Sequence, residues 1–222
     1  MSINGTMITT APVKSGVIAS AFAIVLLIAV VASGPAQADK SEVSALINRV
    51  TGEFAAVQQN STLTQQARVA QLATLFEETF DVERISNLII DPHATKPSPD
   101  QMAEFRTLFS RYVAALCAGW LSGFSDQALV VVGERHHSPQ QSFVTTELRR
   151  PAPDQPIRVG FRISRTPDGP RIYDVLVQGM SLVLTKRDEI RSLVAREGMD
   201  RMLARLRTVA QLAETSATAA QR

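Results

Sequence analysis

The chain has 222 residues, 45% of them hydrophobic and 20% charged, which excludes a disordered or collagen-like protein. Its 23 Lys and Arg against 21 Asp and Glu leave a formal net charge of +2, too balanced to indicate a nucleic-acid binder. One cysteine excludes an internal disulfide framework and a Cys-based zinc cluster, and three histidines leave little material for a metal site.

Residues 1–38 have the layout of a secretory signal peptide. Lys14 precedes an apolar run from Gly16 to Ser33, and Ala36-Gln37-Ala38 supplies a small-x-small cleavage site. The run is close to the lower length limit for a membrane span, so an uncleaved anchor is the alternative. The Gly34-Pro35 break and the cleavage pattern favour removal after Ala38. The expected mature domain is 39–213, soluble and exported, followed by a polar, flexible tail over 214–222.

The mature chain opens with helical periodicity. Val43, Leu46, Ile47, Val50 and Phe54 recur at three- and four-residue steps. A second helix is expected from Thr62, where Thr62-Leu63-Thr64-Gln65 fits a capping box, and it carries Val69, Leu72, Leu75, Phe76 and Phe80. Asp81 is placed to cap a short helix containing Ile85, Leu88 and Ile89. Asp91 to Pro97 reads as a loop, because two prolines in six residues break a ladder. Ser98-Pro99-Asp100-Gln101 then combines an N-cap, a proline at the first helical position and Gln at N3. The helix it opens is long and apolar, running through Leu121.

After Phe124 the period changes from 3.6 to 2. Ala128–Glu134, Ser142–Arg149, Ile157–Ser164 and Ile172–Gln178 read as four short strands with short connections, an antiparallel sheet. Helical spacing returns from Ile190. Helices, a meander and helices again predict an α+β domain, with helices packed on one face of a four-stranded antiparallel sheet.

Catalytic and metal chemistry find no foothold. His136 and His137 are neighbours on a strand, so their side chains point apart and cannot share a metal. Cys117 lies among apolar residues with no His or Asp nearby in sequence, the setting of a buried thiol and not of a nucleophile. No phosphate loop, nucleophile elbow or zinc-protease motif occurs. Asp188-Glu189 reads as helix support. Tyr173-Asp174 is the sole acid/base candidate, and strand neighbours face opposite ways. No catalytic and no metal residue is expected.

The segment Tyr173-Asp174-Val175-Leu176-Val177-Gln178-Gly179-Met180-Ser181-Leu182-Val183-Leu184-Thr185 resembles the signature of the MlaC, or toluene-tolerance auxiliary, family. Phe80-Asp81-Val82 and Ser98-Pro99-Asp100-Gln101 with Phe105 resemble family segments in the same order. Gln178 stands where the family usually has an acidic residue and Pro170 where an aromatic is common, which marks a divergent member, associated here with the hopanoid branch. The resemblance implies a periplasmic carrier with no enzymatic activity and no cofactor. Such a carrier shuttles a phospholipid or hopanoid-type lipid between an outer-membrane lipoprotein complex and an inner-membrane ABC transporter with its substrate-binding ring protein. It also implies a lipid cavity between sheet and helices. The candidate lining residues are Val130, Val132, Phe161, Ile163, Val175 and Val177 on the strands, with Phe105, Phe109 and Tyr112 on the long helix. Each of them would look the same in a filled core. A second class stays open: a periplasmic adaptor that carries nothing and binds a membrane protein through Arg149-Arg150, Arg162, Arg165 and Arg171.

Overall fold

The first described helix starts where the sequence supplies a cap. The computed structural model describes residues 41–120, 128–149 and 156–219, so the expected signal peptide lies outside the described residues. Ser41 accepts a hydrogen bond from the Ser44 amide and opens α1 (Glu42–Gln59). Thr64 caps α2 (Gln65–Thr79) and Asp81 caps α3 (Val82–Ile90). Helix α2 starts after Thr64 and not at Thr62, because the Thr62 hydroxyl donates to Asn60 Oδ1 at 2.6 Å. One helical turn, α4 (Pro92–Thr95), stands where a loop was expected. It forms because Pro92 occupies the first helical position, where its missing N–H costs nothing.

At Ser98 the capping box closes in both directions. The Ser98 amide donates to Gln101 Oε1 at 2.9 Å and the Gln101 amide to Ser98 Oγ at 3.1 Å. It opens α5 (Pro99–Trp120), whose expected continuation through Leu121 lies outside the described residues. After the sheet come α6 (Leu182–Glu197) and α7 (Met199–Ala219). Helix α6 begins a full turn before Asp188-Glu189, so this pair lies inside the helix, bonded to Arg187 and Lys186. Helix α7 continues to Ala219, over much of the stretch expected as a tail.

The sheet has five strands and not four. The strands β1 (Ala128–Ser138), β2 (Gln141–Arg149), β3 (Ile157–Thr166), β4 (Gly169–Val177) and β5 (Met180–Ser181) follow one another in space as in sequence, each pair antiparallel. The fifth strand is two residues long, too short for a period-2 pattern to announce it. It is folded back by Gln178 (φ 51°) and Gly179 (φ 85°), so that Met180 pairs with Val177. His136 and His137 lie within β1, which runs to the Pro139-Gln140 turn.

Among the described residues the helices divide among three cores, two of which meet at β4. Helix α1 contacts β1, β2 and β4, while α2, α3 and α6 reach the sheet at β4. Val43, Leu46, Ile47 and Val50 of α1 form one cluster with Val144, Phe161, Ile163 and Ile172. Ile85 and Ile89 of α3, Phe105 and Phe109 of α5, and residues of α6 and α7 form a second, purely helical cluster. Phe80 packs against both, and its neighbour Asp81 donates its amide to the Ile172 carbonyl at 2.8 Å. The α2–α3 junction is therefore stitched to β4, the strand where the two cores meet.

Candidate functional site

The face of the sheet beneath α1 is an apolar surface spread over four strands. The pairing places Val144, Phe161 and Val175 in one row and Ser142, Ile163 and Ile172 in the next. Leu129 and Val131 of β1 extend the surface. Strand alternation alone would give every second residue to this face. Three irregularities change that, two in β1 at Val132 and His137 and one between Arg162 and Ile163 that leaves Tyr173 unpaired. Tyr173 packs on the helical cluster, with the Arg84 guanidinium 3.8 Å above its ring. Thr146 is fully buried, and its hydroxyl is satisfied by donating to the Val159 carbonyl at 2.9 Å.

A polar group sits at its rim. Glu134 accepts hydrogen bonds from the Ser41 hydroxyl and, at 2.6 Å, from that of Ser44, the first turn of α1. His136 Nε2 lies 2.9 Å from the other Glu134 oxygen, and its Nδ1 lies 2.9 Å from Ser142 Oγ. Burial raises the Glu134 pKa, but the two hydroxyls and His136 outweigh it and hold the carboxyl below its ordinary value. Arg165 pairs with Glu42 at 2.7 Å across the same end of α1.

The nine candidate residues do not line one space. Phe161, Ile163 and Val175 lie on the surface under α1. Val177 pairs with Val159 at its end, half-buried beside the β4–β5 turn. Val130 lies on the opposite face, since its neighbour Val131 packs toward α1. Val132 occupies the first irregularity of β1 and is 46% exposed. Phe105, Phe109 and Tyr112 belong to the helical cluster, where Phe105 stacks on Phe109 with ring centroids 5.4 Å apart. The surface under α1 also takes in Leu129, Val131, Val144, Val159 and Ile172, which lie outside the nine candidates, and the α1 side chains that cover them. In Leu129-Val130-Val131-Val132 every position is apolar, so no alternation marks the inward pair.

Three of the five basic residues considered for an adaptor surface are engaged. Arg162 pairs with Asp174, Arg165 with Glu42, and Arg171 donates to the Glu77 carbonyl, while the Arg149 side chain and Arg150 lie outside the described residues. An open cleft of about 400 Å³ lies by the α2–α3 junction, lined by Glu77, Asp81, Glu83, Arg106, Asp168 and Arg171 among others. Its charged walls do not suit an acyl chain. The surface under α1 is filled by Val43, Leu46, Ile47 and Val50 of α1 itself.

Residues 45–208 match the family described as MlaC protein. Among solved structures, the phospholipid-binding protein from Ralstonia solanacearum, determined in complex with a phospholipid, superposes with a TM-score of 0.64 at 15% identity. The match covers 76% of this chain and 97% of that one, and at this identity it shows the fold. No curated protein matches the chain. The family match begins inside α1 and ends inside α7, taking in the sheet and every helix between, and the chain belongs to the MlaC family.

Proposed function

We propose that this protein is a lipid carrier of the periplasm that holds acyl chains against the sheet face under α1. It is exported after cleavage behind Ala38, and it passes its lipid between an outer-membrane lipoprotein complex and an inner-membrane ABC transporter with a substrate-binding ring protein. The observation that carries this reading is an apolar surface four strands wide, in an MlaC-family chain whose fold is shared by a phospholipid-bound protein. A lipid with two acyl chains has about 30 methylenes, and hiding them is worth on the order of 20 kcal/mol at about 0.8 kcal/mol each. Such a molecule does not cross water unaided. A carrier must therefore supply apolar area of comparable extent, and no catalytic group is required for the task.

The test is extraction of the protein purified from periplasm without detergent. A carrier yields lipid in stoichiometric amount by mass spectrometry, and the mass assigns it to phospholipid or hopanoid. An adaptor that binds only a membrane protein yields none. Intact mass of the same preparation checks the cleavage: a chain that retains Met1 and sediments with membranes contradicts export as a soluble protein.

A further inference from the structure

By its backbone α1 is one helix, and by its contacts it is two. The first half packs Val43, Leu46, Ile47 and Val50 on the sheet face. The second half packs Phe54 and Val57 against Val69 and Leu72 of α2 and Ala114 and Ala118 of α5. Between the halves stand Thr51 and Gly52. The Thr51 hydroxyl bonds back to the Ile47 carbonyl at 2.9 Å, a contact that bends helices. Gly52 in a helix interior adds backbone freedom, and nothing lies within 4 Å of the place its Cβ would take. Packing therefore does not require a glycine there.

The two ends are also held differently. The second half is tied to α5 by Gln58 Nε2 donating to the Cys117 carbonyl at 2.9 Å. Arg68 of α2 donates to the Asn60 carbonyl at 2.9 Å, just past the helix end. The first turn is held through polar side chains at the rim of the sheet. Ser41 and Ser44 donate to the largely buried Glu134, and Glu42 pairs with Arg165 where both are about half exposed. An ion pair of that exposure exchanges readily with water.

We propose that Glu42–Val50 is a lid that swings on Thr51-Gly52 and opens the sheet face to acyl chains, latched when closed by Ser41, Glu42 and Ser44 on Glu134 and Arg165. The proposal rests on the carrier reading. The lid withdraws four apolar side chains and the incoming chains replace them, so the sheet face stays dry in both states. Nine residues of helix span about 14 Å, a length commensurate with an acyl chain. The swing leaves the helical core of Phe105 and Phe109 untouched, because the first half of α1 makes no part of that cluster.

Reversible crosslinking tests it. In the full chain with Cys117→Ala, two pairs are introduced separately: Glu42→Cys with Arg165→Cys, and Ser44→Cys with Glu134→Cys. After folding, each is joined by a short bis-methanethiosulfonate linker that dithiothreitol cuts. The readout is uptake of pyrene-labelled phosphatidylethanolamine from phosphatidylethanolamine–phosphatidylglycerol vesicles. The linked proteins lose uptake at least about tenfold and dithiothreitol restores it. A control link between α5 and α7, Gln101→Cys with Asp200→Cys, whose native side chains lie 2.7 Å apart, leaves the rate unchanged. Gly52→Ala, which stiffens the hinge, slows uptake about three- to fivefold, the Gly-to-Ala helix preference expressed as a rate. Linked proteins that load at the unlinked rate, or a control slowed as much, overturn the lid while the carrier reading stands. Should the unlinked protein take up no lipid and release none on extraction, the carrier reading fails and the lid with it. Either latch pair suffices if the other does not fold.

Discussion

Arg162 Nη1 stands 3.0 Å from Asp174 Oδ2 across the β3–β4 pair, and Asp174 is 2% exposed. The other oxygen, Oδ1, accepts from the Val183 amide at 3.2 Å, in the first turn of α6. One carboxylate thus joins two strands and a helix start, where negative charge also meets the positive end of the helix dipole. This explains an aspartate after Tyr173 without recourse to catalysis. Asp174→Ala leaves a buried amide and a guanidinium without their acceptor, at a cost of about 2 kcal/mol. Urea unfolding measures it, and the midpoint falls while the slope is kept. An unchanged midpoint contradicts the structural role.

The caps were legible in the sequence because a cap is a local device. Ser98 with Gln101, and Asp81 with the Arg84 amide, form as the residue types dictate. The sheet face was only partly legible. Phe161 and Ile163 alternate with charged or small neighbours and announce their side. The Leu129–Val132 run does not, and the irregularity at Val132 moves the rest of β1 out of phase with simple alternation. Glu134 thereby comes to face Ser41 and Ser44, some ninety residues away, a contact no local pattern encodes. Gly160 is a similar case. A Cβ there would stand 2.4 Å from Cζ of Phe143, so the glycine makes room for a ring from the neighbouring strand. The assignment of α1 to the sheet and of α5 to a separate core depends on tertiary packing, and helical periodicity is the same in both.

Cys117 packs against the cluster of Val69, Leu72 and Ala114. Burial pushes its thiol up to about 11, so the thiolate that would attack or bind metal is scarce at neutral pH. The thiol reacts with Ellman's reagent at pH 8 only after denaturation. The sign of the linkage is set by the raised value: the unfolded chain ionises first, so this contribution to stability is complete below about pH 9 and declines toward about pH 11. Cys117→Ala costs about 1 kcal/mol, as a small core truncation does, and abolishes that alkaline decline. Rapid labelling of the folded protein would contradict the assignment.

Glu134 sets the behaviour in acid. Its folded pKa lies below the ordinary value, so the stability it contributes is present above the unfolded pKa and is lost as pH falls through the folded one. Glu134→Gln accepts the serine hydroxyls through its amide oxygen but does not titrate. The variant therefore starts less stable at pH 7, where His136 loses its carboxylate partner, and falls less steeply than the parent below about pH 4.5. Thermal melts from pH 3 to pH 7 give both curves. Parallel curves would show that another carboxylate governs acid unfolding.

The two cores make opposite predictions for lipid and for stability, which separates a binding surface from a filled interior. Val175 is half-buried in the α1 cluster, paired with Phe161, while Phe105 is fully buried among α3, α5, α6 and α7. If acyl chains lie on the sheet face, Val175→Trp occupies their space. The variant then carries less lipid per protein and melts close to the delipidated parent, because the ring replaces ligand and does not overfill the core. A permanently filled core gives a different result, destabilisation by about 1–3 kcal/mol from overpacking. Phe105→Leu should lose about 1–2 kcal/mol of stability and keep its lipid, since the proposed binding surface lies on the sheet and not in the helical cluster. Bound lipid by mass spectrometry and melting temperature, measured with and without loading, resolve all of these. Lipid lost in Phe105→Leu and kept in Val175→Trp would move the binding surface from the sheet to the helices.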